Sequence, residues 1–329
     1  MKQSHFRIYV LFFLSLCLLL SSSMGCAKSK SEIKSNTFLA FDTVITISLY
    51  EPDSTTLLKK CEELCLYYDG LLSKTAAGSD IYKLNHSNGS PVKVSEETYD
   101  LIKKSLAYSE LSDGAFDITI GSVHSLWNFT DDSCMVPSDE SIKEELSHVN
   151  YQNINLLDDL TVQLTDPKTR IDLGGIAKGY IADRLKDYLL SQNVEHGIID
   201  LGGNILTIGA RTDGTAYHIG IKEPFSNQVL TSVDVNDQSV VTSGIYERYF
   251  IKDEHIYHHV FSPKTGYPVD NNLAGVTIVS SHSVDGDALS SICLILGLED
   301  GMKLIERLDD IEAIFVTRDH QSFYSQGLQ

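Results

Sequence analysis

Basic residues are scarce in this chain: 26 Lys and Arg stand against 45 Asp and Glu, a formal net charge of −19. Lys2 and Arg7 are the only such residues in positions 1–25, so without that segment the charge moves from −19 to −21. Such a surface repels nucleic acid and anionic lipid, and no nucleic-acid partner is expected. An anionic small ligand needs a local cation or a metal here. Cysteine is also sparse. Cys17 falls in the N-terminal apolar segment and Cys26 follows it, leaving Cys61, Cys65, Cys134 and Cys293. Cys61 and Cys65 are four apart on one helical face, a spacing that does not favour a disulfide. No histidine nearby completes a zinc pattern, so they read as small buried hydrophobes. There is no G-x-G-x-x-G, no Walker loop and no G-x-S-x-G, which argues against dinucleotide-binding, P-loop and α/β-hydrolase chemistry. Internal repeats and low-complexity blocks are absent.

The long apolar run stands at the start. Lys2 and Arg7 precede Ile8 to Leu20, and the small residues Ser21 to Ser23 follow. This is the pattern of an export signal, too short and too weakly flanked for a membrane span. Gly25-Cys26 resembles a bacterial lipobox, in which Cys26 is lipidated. Cleavage near Gly25 with an unmodified cysteine is the alternative. Residues 28–36 are polar and read as a tether. The expected organisation is a signal peptide over 1–25, a lipidated cysteine and tether over 26–37, and one catalytic unit over 38–329.

Within that unit, alternation predicts one strand over 38–50. Helical spacing follows over 55–72 with Ser54 as cap, then a loop over 73–91. Ser95-Glu96-Glu97-Thr98 opens a helix that stops near Asp113-Gly114. A short helix is expected over 138–146. From Val162 the pattern turns to short strands, at 162–165, 169–172, 197–200, 204–210, 216–221, 229–235, 239–242, 246–251 and 256–261. A helix over 175–191 interrupts them. A strand at 274–280, helices at 284–297 and 299–307, and strands at 312–317 and 322–325 complete the chain. Hairpins and helices are segregated, so the fold class is α+β, with antiparallel strands and flanking helices, rather than a doubly wound sheet.

Several segments carry polar chemistry. Asp172-Leu173-Gly174-Gly175-Ile176-Ala177-Lys178-Gly179 sets an acid, a glycine pair and a lysine at a helix start, where phosphate is favoured. It reads either as a strand-to-helix turn or as a site with Lys178 on a phosphate, Asp172 on a ligand hydroxyl or amine, and the Gly175 carbonyl near a metal or ligand. Asp287 and Ser291 are four apart, a hard-oxygen pair suited to Mg²⁺; alternatively Asp287 serves only as a charge at a helix start. Of His258-His259, adjacent in a strand, one alone can face a given site and take a proton from a hydroxyl. Both serve equally well as packing histidines. Gly114-Ala115-Phe116-Asp117-Ile118-Thr119 offers backbone amides to a flat ring, or is an ordinary turn. Asp200-Leu201-Gly202-Gly203-Asn204 and Thr242-Ser243-Gly244-Ile245-Tyr246 are further turns that could line one cleft.

In this order, with His259 ahead of Pro263-Lys264-Thr265-Gly266-Tyr267-Pro268, and with Ser79-Asp80-Ile81-Tyr82-Lys83-Leu84-Asn85 upstream, the segments resemble the ApbE family, the FAD:protein FMN transferases. The resemblance spans about residues 38–325. It implies a T-fold-related catalytic unit that splits FAD at its pyrophosphate. FMN then passes to a threonine or serine hydroxyl of a target protein and AMP leaves. It implies Mg²⁺ held by Gly175, Asp287 and Ser291, and FAD as substrate, lined by Ala115, Phe116, Asp117, Asp172, Lys178, His259 and Val260. His259 is the implied base. It implies an exported or membrane redox protein as acceptor, and an enzyme lipid-anchored at the outer face of a bacterial cytoplasmic membrane. Ser291 stands where the family usually has threonine, Ser262 where it has aspartate, and Phe41-Asp42-Thr43 where a methionine-containing triplet is common. Thr75 falls near a frequent tyrosine. A metal-dependent FAD pyrophosphatase and a non-catalytic flavin-binding lipoprotein are the competing readings.

Overall fold

The computed structural model describes residues 33–51, 54–129 and 134–329. The proposed signal segment and Cys26 lie outside them. Fifteen strands are present among the described residues. They are β1 (Lys34–Ala40), β2 (Thr43–Leu49), β3 (Val92–Lys93), β4 (Ile154–Leu157), β5 (Thr161–Leu164), β6 (Gly197–Leu201), β7 (Asn204–Ile208), β8 (Tyr217–Lys222), β9 (Val229–Val235), β10 (Ser239–Gly244), β11 (Tyr249–Lys252), β12 (His255–His258), β13 (Leu273–Ser280), β14 (Glu312–Thr317) and β15 (Ser322–Tyr324). The helices are α1 (Thr55–Leu72), α2 (Asp80–Asn85), α3 (Glu96–Leu111), α4 (Gly121–His124), α5 (Asp139–Leu146), α6 (Ala177–Ser191), α7 (Ser283–Leu296) and α8 (Leu298–Ile305).

Eight strands build one sheet in the order β1-β2-β6-β7-β10-β13-β14-β15, every pair antiparallel. Period-two alternation gives it two buried faces. On β14, Ala313 and Phe315 join the main core while Ile314 and Val316 enter a second one. The main core packs Ile45, Ile47, Ile199, Leu206 and Ile278 of the sheet against Leu58 and Cys61 of α1, Ile181 and Leu185 of α6, and Leu289 and Ile292 of α7. The second core lies under the β8–β9 hairpin, through Tyr217, Ile219, Ile221, Val233 and Val235. Each fully buried aliphatic side chain contributes about 1.5–3 kcal/mol. A third cluster, Val123, Trp127, Ile142 and Phe261, carries the β11–β12 hairpin through Phe250 and Tyr257. The α+β class is as expected, with helices on one face of an antiparallel sheet.

Several boundaries differ from the sequence reading. The strand expected over 38–50 is a hairpin, because Phe41 and Asp42 take φ of 53° and 56° and make a two-residue turn. Its first strand begins at Lys34, inside the segment read as a tether. There Ser35 and Thr37 pair across the ladder with Ser48 and Thr46 at 2.8 and 3.1 Å. The loop at 73–91 contains α2, whose start is capped by the Ser79 hydroxyl accepting from the Tyr82 amide at 2.9 Å. Residues 169–172 form no strand; a single bridge joins Ile120 to Arg170.

Candidate active site

One cavity of about 660 Å³ gathers Ala115, Phe116, Asp117, Asp172, Gly175, Lys178, His259, Val260, Asp287 and Ser291 on its wall. Its architecture follows from two helix starts that abut. A Cβ on Gly179, in the first turn of α6, would lie 2.2 Å from the Ser283 carbonyl oxygen at the start of α7. Only glycine allows that approach. The first turn of each helix leaves amides without intrahelical acceptors. The Gly179 amide donates to Asp287 Oδ2 at 2.9 Å, and Asp183 of α6 accepts from the Ser283 and Val284 amides at 2.8 and 3.0 Å. Asp287 therefore does not serve its own helix as an N-terminal charge; Asp183 does.

Asp287 is 3% exposed. Its second oxygen, Oδ1, stands 3.6 Å from the Lys178 ammonium, beyond hydrogen-bond length. Ser291 follows one turn later and contacts the Ser243 hydroxyl at 3.3 Å, while Ser243 also bonds Ser290 at 2.8 Å. A Cβ on Gly175 would meet Ser291 Oγ at 3.4 Å and Phe116 Cε2 at 3.2 Å. The bare Gly175 backbone thus lies against the Ser291 hydroxyl and the Phe116 ring, on the wall that Asp287 also lines. A carbonyl, a carboxylate and a hydroxyl are the donors a hard divalent cation takes. No cluster of three His, Cys, Asp or Glu side chains able to hold a metal occurs among the described residues.

The two histidines separate as strand geometry requires. His258 is fully buried. The Val260 amide donates to its Nδ1 at 3.3 Å, so Nε2 carries the proton and donates to the Val269 carbonyl at 3.1 Å. His259 lines the cavity. Its Nδ1 lies 3.2 Å from the Arg248 carbonyl, which can only accept. The proton is therefore on Nδ1 and Nε2 presents a lone pair. Burial pushes the His259 imidazole down to about 4, although the Arg248 carbonyl acts in the opposite sense. It is neutral at pH 7.

The remaining expected residues are more occupied than their sequence suggests. Of the two readings of residues 114–119 the ordinary turn holds for the Ala115 and Phe116 amides, which are both spent on Ser112, its carbonyl and its hydroxyl. The Phe116 ring and the backbone turn are what reach the cavity. Asp117 accepts from the Thr119 amide and hydroxyl at 2.8 and 2.6 Å and from the Tyr151 amide at 2.8 Å. Burial still raises its carboxyl above the ordinary range. Asp172 has Oδ1 on the Gly174 amide at 2.9 Å and Oδ2 on both Lys74 at 2.6 Å and His124 at 2.5 Å. Burial pushes its carboxyl up, but His124 and Lys74 outweigh that and hold it well below the usual carboxylate range.

Lys74 and His124 are cavity residues that sequence reasoning missed. They stand 98 and 48 residues from Asp172, with no motif to connect them. Asn204 also lines the cavity. Its Oδ1 accepts from Ser283 at 2.6 Å, while its buried Nδ2 has no protein partner.

Comparison with known proteins identifies the family. Residues 41–315 match the model of the ApbE family. An FAD:protein FMN transferase of Klebsiella pneumoniae is 38% identical over 302 residues, 90% of this chain and 93% of the relative. One of Treponema pallidum is 30% identical over 351 residues, 100% of this chain and 96% of the relative. The crystal structure of the ApbE protein of Thermotoga maritima superposes with a TM-score of 0.85 at 32% identity, covering 90% of this chain and 98% of that one. With the motifs on one cavity wall and the match running through nearly the whole described unit, the chain belongs to the ApbE family.

Proposed function

We propose that this protein transfers the FMN half of FAD to a serine or threonine hydroxyl of a target protein and releases AMP. The observation that carries this reading is that His259, Lys178, Asp287 and Ser291 all line one cavity. A proton acceptor, a cation and a hard-oxygen set are what phosphoryl transfer to an alcohol requires. The relatives named FAD:protein FMN transferase supply the substrate and the kind of acceptor.

In this reading the acceptor oxygen bonds to the FMN phosphorus and the bond from that phosphorus to the bridging oxygen breaks. The bridging oxygen leaves with AMP. The Nε2 lone pair of His259 takes the hydroxyl proton. Lys178, not hydrogen-bonded to Asp287, is placed to turn its ammonium to a phosphate oxygen. The Gly175 carbonyl, Asp287 and Ser291 would hold Mg²⁺. Bound there, the ion supplies charge neutralisation on the phosphate oxygens.

We also infer export and lipid anchoring through Cys26, from the signal pattern and the lipobox. An enzyme so placed acts on exported or membrane redox proteins. The test is incubation with FAD, with and without Mg²⁺, for wild type and Asp287→Ala, with AMP followed by chromatography. The reading expects Mg²⁺-dependent AMP release in wild type alone. Equal turnover in the variant removes Asp287 from the metal.

A further inference from the structure

We propose that the outer face of the β11–β12 hairpin, with the Phe225 turn beside it, docks the acceptor polypeptide as an extended strand. The proposal rests on the transferase reading above.

Phe225 sits in the turn Glu223-Pro224-Phe225-Ser226, closed by the Ser226 amide on the Glu223 carbonyl at 3.2 Å. Its φ is 57°, at a turn place that favours glycine. A bulky residue there is strained, and such strain is found at functional sites. Phe225 is 45% exposed. It stacks edge-on against Tyr246 at 5.8 Å and Tyr249 at 5.5 Å. Tyr246 is itself part of the cavity wall. Ring contacts therefore link the cavity wall to β11 through Phe225.

Along β11 the two faces differ. Phe250 turns inward, stacking on Tyr257 and contacting Phe129. Tyr249 and Ile251, two apart on the opposite face, are 39% and 65% exposed. Among the described residues β11 pairs with β12 alone, so its outer edge offers unpaired backbone groups for strand addition. His259 follows β12 directly, and its backbone amide is held by the Arg248 carbonyl at 3.2 Å. Arg248 and His259 both line the cavity, so a segment held along β11, which starts at Tyr249, ends beside it.

The size of the patch selects the occupant. β11 has four residues, about 14 Å of strand. That length takes an extended peptide segment of about four residues. At the cavity end Lys222, 5.7 Å over the Tyr246 ring, and Arg248 stand with Glu247, so both signs of charge line it.

The test uses peptides with one fixed threonine in otherwise randomised sequence, incubated with FAD, Mg²⁺ and either wild type or the double variant Phe225→Ala, Ile251→Ser. Mass spectrometry counts FMN-bearing peptides, and flavin fluorescence reads FAD affinity. The expected result is a rise of ten-fold or more in peptide KM, with kcat and FAD affinity within two-fold of wild type. An unchanged peptide KM overturns the docking face alone. So does an equal loss of FAD affinity, which would place Phe225 in the cofactor pocket. A wild-type dimer that dissociates in the variant by sedimentation assigns the face to a second copy and overturns the proposal. Wild type that releases FMN and AMP but modifies no peptide overturns the transferase reading together with it.

Discussion

Asp183 and Asp287 cap each other's helices. Asp183 on α6 accepts the first amides of α7, and Asp287 on α7 accepts the Gly179 amide of α6. This exchange fixes α6 against α7, and with it the distance between Lys178 and Ser291. Burial raises the Asp183 carboxyl, and the two α7 amides only partly reverse that. The site thus stands on a carboxylate whose burial is offset by backbone donors.

The two aspartates should separate by substitution. Asp183→Ala leaves two buried amides without acceptors and should cost about 1–3 kcal/mol for each, read by thermal or denaturant unfolding. Asp287→Asn keeps an oxygen for Gly179, so stability should stay within about 1 kcal/mol of wild type. Its Mg²⁺-dependent turnover should nevertheless fall by more than about 100-fold. Equal stability losses in the two variants would contradict this division of labour.

Gly179→Ala should fail to fold or lose activity, since the added Cβ would lie 2.2 Å from a backbone oxygen. Gly78→Ala, with nothing within 4 Å, is the control and should be neutral. Circular dichroism and AMP release measure both.

The pH profile tests His259. With its imidazole pushed down to about 4 by burial, kcat/KM should stay level from pH 7 to below 6 and bend only near 4. A bend near 6.5 would show an ordinary histidine. His258, also pushed down to about 4 by burial, adds a stability effect of fixed sign. The unfolded chain binds more protons between these values, so stability is present above about pH 6.5 and lost as pH falls towards 4.

Lys74→Met removes one of two cations on Asp172. Because the folded carboxyl is depressed, its contribution to stability is present above the ordinary carboxylate value, about 3.9, and lost as pH falls below it. The variant should lose less stability than wild type over that acid range, and should bind FAD about ten-fold more weakly, about 1.4 kcal/mol. Identical acid-unfolding curves would dismiss Lys74 as a partner of consequence.

Cys26→Ala should move the protein from the membrane fraction to the soluble one. Persistent membrane association would point to another anchor.

These predictions fall on residues of unequal visibility in the sequence. Asp287 and Ser291 are legible because both lie on one helix at a four-residue spacing; strand alternation shows only that one of His258 and His259 can face a site, and the choice of His259 comes from the family resemblance. The role of Asp183 was hidden, since it acts 100 residues away on Ser283. Lys74 and His124 were hidden for the same reason. The β1–β2 turn escaped notice because Phe41-Asp42 lacks the Asn-Gly signature that usually marks such turns. Helix α2 is masked by the Ser, Asn and Gly around it, its one local signal being the Ser79 cap.

The most direct test of the central claim is the mass of an acceptor incubated with the protein, FAD and Mg²⁺. Transfer yields an acceptor heavier by FMN through a phosphoester on serine or threonine, with one AMP released for each FMN attached. Free FMN and AMP in equal amounts, beside an unmodified acceptor, would contradict it.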